Sequence, residues 1–220
     1  MSLLYKEWLK LRLWWTILLV AATILATYLH IRLRLAFEFN EASLIWSSWI
    51  YKAYLFYNAY QYAPLAAGAI LAALQFLPEI QAHRIRLVFH LPIDETRAIT
   101  RHLVIGALLL TLLQIPALLI IIATGIQYFP AEWHANFWLT AAPWFLAGYI
   151  AYLCTAALLL ETNWRHRVLH LLAAAGLINI FLQETFYETY APLIPLLLLT
   201  TILLAALPHI SAHRYRRSLT

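Results

Sequence analysis

The sequence predicts an all-α integral membrane protein, one domain of six transmembrane helices with further amphipathic helix at its cytoplasmic face. Three observations predict it. Of 220 residues, 64% are hydrophobic and 11% charged, with a mean hydropathy of +0.73, too little polar surface to clothe a soluble globule of this size. The apolar residues fall in runs near the roughly 20 residues that carry a helix across a hydrocarbon core of about 30 Å, without the alternation of a membrane barrel. The cations are divided unevenly between alternate loops.

In the opening stretch MSLLYKEWLKLR, Leu4, Trp8, Leu11 and Trp15 recur at spacings of four, three and four, while Lys6, Glu7, Lys10 and Arg12 fill the rest of the turn. This pattern predicts an amphipathic helix over residues 1–12 lying in the membrane interface before the chain turns inward, with Trp8, Lys10 and Arg12 at headgroup level. It does not read as a secretory signal, because the apolar run after it is too long and no small-x-small cleavage site follows.

The predicted spans are residues 13–31, 57–78, 103–128, 137–160, 168–183 and 190–208. The fifth is short, which leaves a tilted crossing, a re-entrant segment and a hairpin with its neighbour all open. The nine prolines and five glycines lie mostly near span ends and no polar linker divides the chain, so residues 1–220 form one domain. With the N-terminus inside, twelve Lys and Arg residues fall on inner segments and only Arg32, Arg34 and Lys52 on outer ones. The bias places both termini, including a basic tail at 209–220, in the cytoplasm of a cell with the protein in its plasma or inner membrane. The net charge of +5 thus expresses topology and attraction to anionic lipid, not nucleic-acid binding. Trp46, Trp49, Tyr51, Tyr54, Tyr57, Tyr60 and Tyr62, with Trp133, Phe137 and Trp138, are expected to form an outer aromatic belt.

Between the second and third spans runs PEIQAHRIRLVFHLPIDETRAITRH, residues 78–102. Ile85, Val88 and Phe89 can share a helical face with Arg84, Arg86 and His90 around it, until Leu91-Pro92 stops the helix. Asp94 is placed to cap the third span, with Glu95 near its positive end. Such a structured elbow over 79–102 presents a shaped surface to something in the cytoplasm.

Together the basic amphipathic start, the acidic Glu79, the helical segment His83–His90, the Leu91-Pro92 break and the basic approach through Arg97 resemble the permease subunits of type-2 ABC exporters. The resemblance covers the first half of the chain by motif and the whole by topology. Where those permeases often carry Gly-Lys at the third span, this chain has Thr100-Arg101. The resemblance implies that segment 79–91 is a coupling helix docking in a separate cytoplasmic ABC ATPase. Glu79, His83, Arg84, Arg86, Val88, Phe89, Leu91 and Pro92 would form the transmission surface. It also implies a second copy or homologous permease as partner, and ATP with magnesium held on the ATPase, with no cofactor in this chain. None of the five glycines is followed by lysine, so no P-loop is present. Ile80–Arg86 (IQAHRIR) is echoed by Ile210–Arg216 (ISAHRYR) at five of seven positions. Either a shared demand for cations at a helix C-terminus, or a partner contact by Arg214, Arg216 and Arg217, accounts for it.

Two other function classes leave weaker traces. For an intramembrane enzyme, His166/His170 and His209/His213 stand at i, i+4, yet neither pair has a metalloprotease glutamate or a third ligand nearby in sequence. Cys154 is alone and no G-x-S-x-G occurs. For an ion-coupled carrier, a charge within a span is expected, but all ten acids fall at predicted ends or loops, and Gln114 and Asn179 stand out as the polar groups within spans. An apolar interior suits a lipid-like or amphipathic cargo, or a path formed where two copies meet.

Overall fold

A computed structural model of the protein describes residues 3–48, 55–81, 95–183 and 190–217; among them all regular structure is helical. The helices are α1 (Leu3–Phe39), α2 (Ala42–Trp46), α3 (Ala63–Gln81), α4 (Glu95–Tyr128), α5 (His134–Leu160), α6 (Trp164–Leu182), α7 (Ile194–Leu204) and α8 (Ala206–Arg217). Five stretches are long and apolar enough to cross a membrane: 5–39, 58–81, 96–128, 131–160 and 191–217. α6 is shorter in its apolar part because its first turn carries Arg165, His166 and Arg167.

α1 corrects the expected turn after residue 12. It runs 37 residues without a break, about 55 Å, because neither proline nor glycine occurs before Asn40 to end it. Its inward stripe is Glu7, Leu11, Trp15, Leu18, Ala22, Ala26, Leu29 and Leu33, a series of fours and threes that repeats every eleven residues. Glu7 therefore lies on the buried face, where the hydrophobic pattern alone placed it in water.

The prolines inside helices have separate consequences. Pro78, Pro116 and Pro143 each remove one backbone donor within α3, α4 and α5, yet these helices continue through them. Pro208 cannot donate to the carbonyl of Leu204, and there the helix yields: α7 and α8 are separated at Ala205, whose N–H bonds Ile202 at 3.1 Å instead. Beyond that break the basic segment expected as a tail is helical through Arg217. It packs Ser211, Ala212 and Tyr215 inward.

α5 is the hub, with 72% of its most apolar window buried, against 17% for α1 and 11% for the stretch 191–217. Its closest neighbour is α3, where both helices shed their side chains: a β-carbon on Gly68 would lie 1.9 Å from the Gly148 carbonyl oxygen. α1 and α4 lie parallel in constant register. Trp15 Nε1 donates to Leu109 O at 2.9 Å, and fifteen residues further His30 Nδ1 meets Thr124 Oγ1 at 2.9 Å, both pairs 94 residues apart in sequence.

These packings sort the helix ends into two groups. One end joins Leu11 and Phe76 to Ile99, Leu160 and Tyr215; it collects the beginnings of α1 and α4 with the ends of α3, α5 and α8, and carries most of the cations. The opposite end is a stack of rings. Phe56 faces Phe129 at 5.9 Å and Phe137 at 5.6 Å, and Phe37 stacks on Tyr128 at 5.0 Å. Tyr57, Tyr60 and Phe137 are buried in this aromatic core, so they do not belong to a belt, whereas Trp46, Tyr62 and Trp138 are exposed. Burial leaves the Tyr57 hydroxyl in need of a partner, and it donates to Phe137 O at 3.1 Å. Trp49, Tyr51 and Tyr54 lie outside the described residues.

Candidate functional site

The cationic end holds a buried polar network built by four helices. Its centre is Lys10, on α1 one turn beyond Lys6 and three residues beyond Glu7. An ammonium has three N–H donors, and Lys10 uses them on Glu7 Oε1 at 3.0 Å, Gln75 O at 2.9 Å and Glu79 Oε1 at 3.2 Å. The other Glu7 oxygen completes an ion pair at 2.9 Å. Both carboxylates are almost fully removed from solvent, with side chains 0% and 4% exposed, while Lys10 is 16% exposed. Such burial is tolerated only where opposite charge and hydrogen bonds replace water.

Two further cationic or polar groups close the network. Lys6 Nζ lies 3.6 Å from Glu79 Oε1 on the solvent side, and His102 Nδ1 lies 3.6 Å from Glu7 Oε1 on the α4 side. Gln75 then links three helices by itself. Its backbone carbonyl accepts from the Lys10 ammonium, its side-chain amide nitrogen donates to His102 O at 2.9 Å, and its side-chain amide oxygen accepts from Tyr152 OH of α5 at 2.7 Å. Gly106 makes room for this crossing, since a β-carbon there would stand 1.9 Å from Tyr152 OH and 2.5 Å from Gln75 Oε1.

A second node ties the remaining helices at the same end. Glu161, the residue closing α5, is buried. Arg214 Nη1 of α8 reaches its Oε2 at 3.2 Å, and Arg167 Nε of α6 donates to its carbonyl at 2.6 Å. Asn163 starts α6 by accepting the Arg165 N–H at 3.0 Å, the preferred use of asparagine at that position. His166 Nδ1 is 3.9 Å from Glu161 Oε1. Among the described residues no three His, Cys, Asp or Glu side chains gather as a metal set, and Cys154 is buried between helices.

Of the residues singled out by sequence, Glu79 and Lys10 are brought into direct contact and Trp8 lies alongside, its ring 5.5 Å from that of Trp15. Arg12 is exposed one turn further on. His83, Arg84, Arg86, Val88, Phe89, Leu91 and Pro92, with the first echo of the repeated heptapeptide beyond Gln81, lie outside the described residues. The network nonetheless brackets that segment, with Glu79 shortly before it and His102 after it.

Glu7, Gln75, His102, Gly106 and Tyr152 were missed. Gln75 was legible: an amide deep within an apolar span needs partners there. Gln61 is another, donating to Leu182 O across to α6. Gln114 does find a buried carbonyl, Phe145 O at 3.4 Å, whereas Asn179 is exposed and accepts from Gln183. Compared with known protein families, with curated proteins and with solved structures, the chain shows no match.

Proposed function

We propose that this chain is the permease subunit of an ABC transporter of the exporter type. It would have six spans, both termini in the cytoplasm of a cell whose plasma or inner membrane it occupies, and a second permease copy or homologue beside it. The observation that carries this reading is the Lys10 network. Glu79 and His102 flank the 82–94 segment on its two sides, and through Lys10 and Gln75 both are bound to α1, while Tyr152 extends the connection to α5.

A partner that pushes on the segment would therefore displace the ends of α1, α3, α4 and α5 together. Ion pairs and hydrogen bonds suit such transmission because they are directional and can be remade in a second arrangement. ATP and magnesium would be held on the partner ATPase, and the fifth crossing would be α6.

Purification from native membranes, with cross-linking from position 89, tests the proposal. A stoichiometric P-loop protein captured through that position supports it. Phe89→Asp should leave the chain in the membrane while abolishing transport-coupled ATP hydrolysis. Absence of any ATPase, under conditions that keep known ABC assemblies intact, overturns the reading.

A further inference from the structure

Beside the network, on the outer surface between α1 and α4, runs an apolar groove lined by Trp8, Ile105, Leu108, Leu109, Thr111 and Leu112. Leu108 and Leu112 are 52% and 54% exposed, so the groove opens outward from the bundle. Each wall carries an arginine. On α1, Arg12 lies between Trp8 and Trp15 at i+4 and i−3; Trp8 lines the groove and Trp15 donates to Leu109 O, so that stripe faces α4. On α4, Arg101 precedes Ile105, Leu108 and Leu112 at i+4, i+7 and i+11. Both arginines are exposed, while the nearby carboxylates Glu7 and Glu79 turn inward.

The dimensions fit one leaflet. The parallel register sets Trp8 level with residue 102, so the groove from there to Leu112 spans about 15 Å, half of a hydrocarbon core of about 30 Å. We propose that this groove binds one acyl chain of an anionic phospholipid, with the phosphate at the level of Arg101 and the Arg12 guanidinium, rooted one turn deeper on α1, reaching back toward it past the Trp8 indole. The long arginine stems can lie along apolar surface while their guanidinium groups reach the headgroup plane. This site is independent of the permease reading.

The test uses the full chain in mild detergent, titrated with phosphatidylglycerol or phosphatidylcholine of matched chains and read by native mass spectrometry and Tm. Phosphatidylglycerol should be retained and raise Tm in preference to phosphatidylcholine. With each arginine near an anionic surface worth about 1 kcal/mol, Arg12→Gln with Arg101→Gln should weaken that preference on the order of thirtyfold. The lipid-free Tm should stay unchanged. Leu108→Trp, which fills the groove and keeps both charges, should reduce retention of either lipid. Equal binding of the two lipids, an undiminished preference in the double arginine variant, or the same Tm rise with inorganic phosphate alone overturns the proposal. So does a cross-link from position 108 to a second copy of the chain that persists at saturating lipid.

Discussion

Lys10 Nζ lies 3.2 Å from Glu79 Oε1, joining the second turn of the first helix to the last turn of α3 across 69 residues of sequence. The pair is buried and shared: the same ammonium serves Glu7 and the Gln75 carbonyl. A lysine serving three acceptors on two helices cannot be withdrawn without leaving charge uncompensated in a low-dielectric site.

That asymmetry yields the first prediction. Lys10→Met leaves two buried carboxylates with only Lys6 and His102 at 3.6 Å, and should destabilise the chain by about 3–5 kcal/mol. Glu79→Gln keeps the Lys10–Glu7 pair and an acceptor oxygen, so about 1–2 kcal/mol is expected. Adding Glu7→Gln and Glu79→Gln to Lys10→Met should recover part of the loss. Unfolding of the purified chain in detergent compares the three variants with the parent; a Lys10→Met variant no weaker than Glu79→Gln removes Lys10 from the centre of the network.

Helix contact by bare backbone gives the second. Gly68→Ala would put its methyl 1.9 Å from the Gly148 carbonyl oxygen, which as backbone cannot swing aside, so α3 and α5 must separate at a cost of about 1–3 kcal/mol or more. Gly176 in α6 has nothing within 4 Å of the same position. Gly176→Ala should instead stabilise by about 0.5–1 kcal/mol by restricting the unfolded chain. Equal effects at the two sites, read by Tm, would contradict the packing.

Five of the six expected spans were legible because their signal is composition over about 20 residues, and the ends at Tyr128 and Leu160 fall where apolar character stops; the expected span 168–183 is not among the five. The first helix was misread for a physical reason. Periodicity assigns charged side chains to water, but Glu7 is inside because Lys10 and His102 meet it there, and partners 65 to 95 residues away leave no periodic trace. Belt and core aromatics were likewise indistinguishable by type: Tyr57 and Tyr62 differ only in which side of the turn faces α5. Glu79 was marked by its place after an apolar run and Gln75 by being an amide within a span, but the tyrosine that supports them, Tyr152, was hidden among residues that read as span.

The Glu161 node gives the third prediction. Arg214→Gln removes the cation from a carboxylate that is 1% exposed and should cost about 1–3 kcal/mol, loosening α8 from the end of α5. Arg165 is exposed, and only its backbone N–H enters the node, so Arg165→Gln should fall within about 0.5 kcal/mol of the parent. Limited proteolysis should release the C-terminal segment from the first variant and not from the second. If both are cleaved alike, the Arg214 contact does not hold α8.

α6 provides the fourth prediction, because its two ends are fixed to opposite ends of the bundle. Asn163 starts it beside Glu161 among the cations, and near its other end Leu182 O accepts from Gln61 while Ile180 O accepts from Tyr190 OH. Nineteen residues of helix reach about 28 Å, close to the roughly 30 Å hydrocarbon thickness, so the helix can cross only if its basic first turn sits at the interface. Thr162 and Gln183 flank it and are exposed, and the native thiol is buried at position 154. In a Cys154→Ala background, Thr162→Cys and Gln183→Cys should react with a membrane-impermeant maleimide from opposite faces of sealed vesicles. Labelling of both from one face would make α6 a re-entrant helix and leave the chain with its termini on opposite sides.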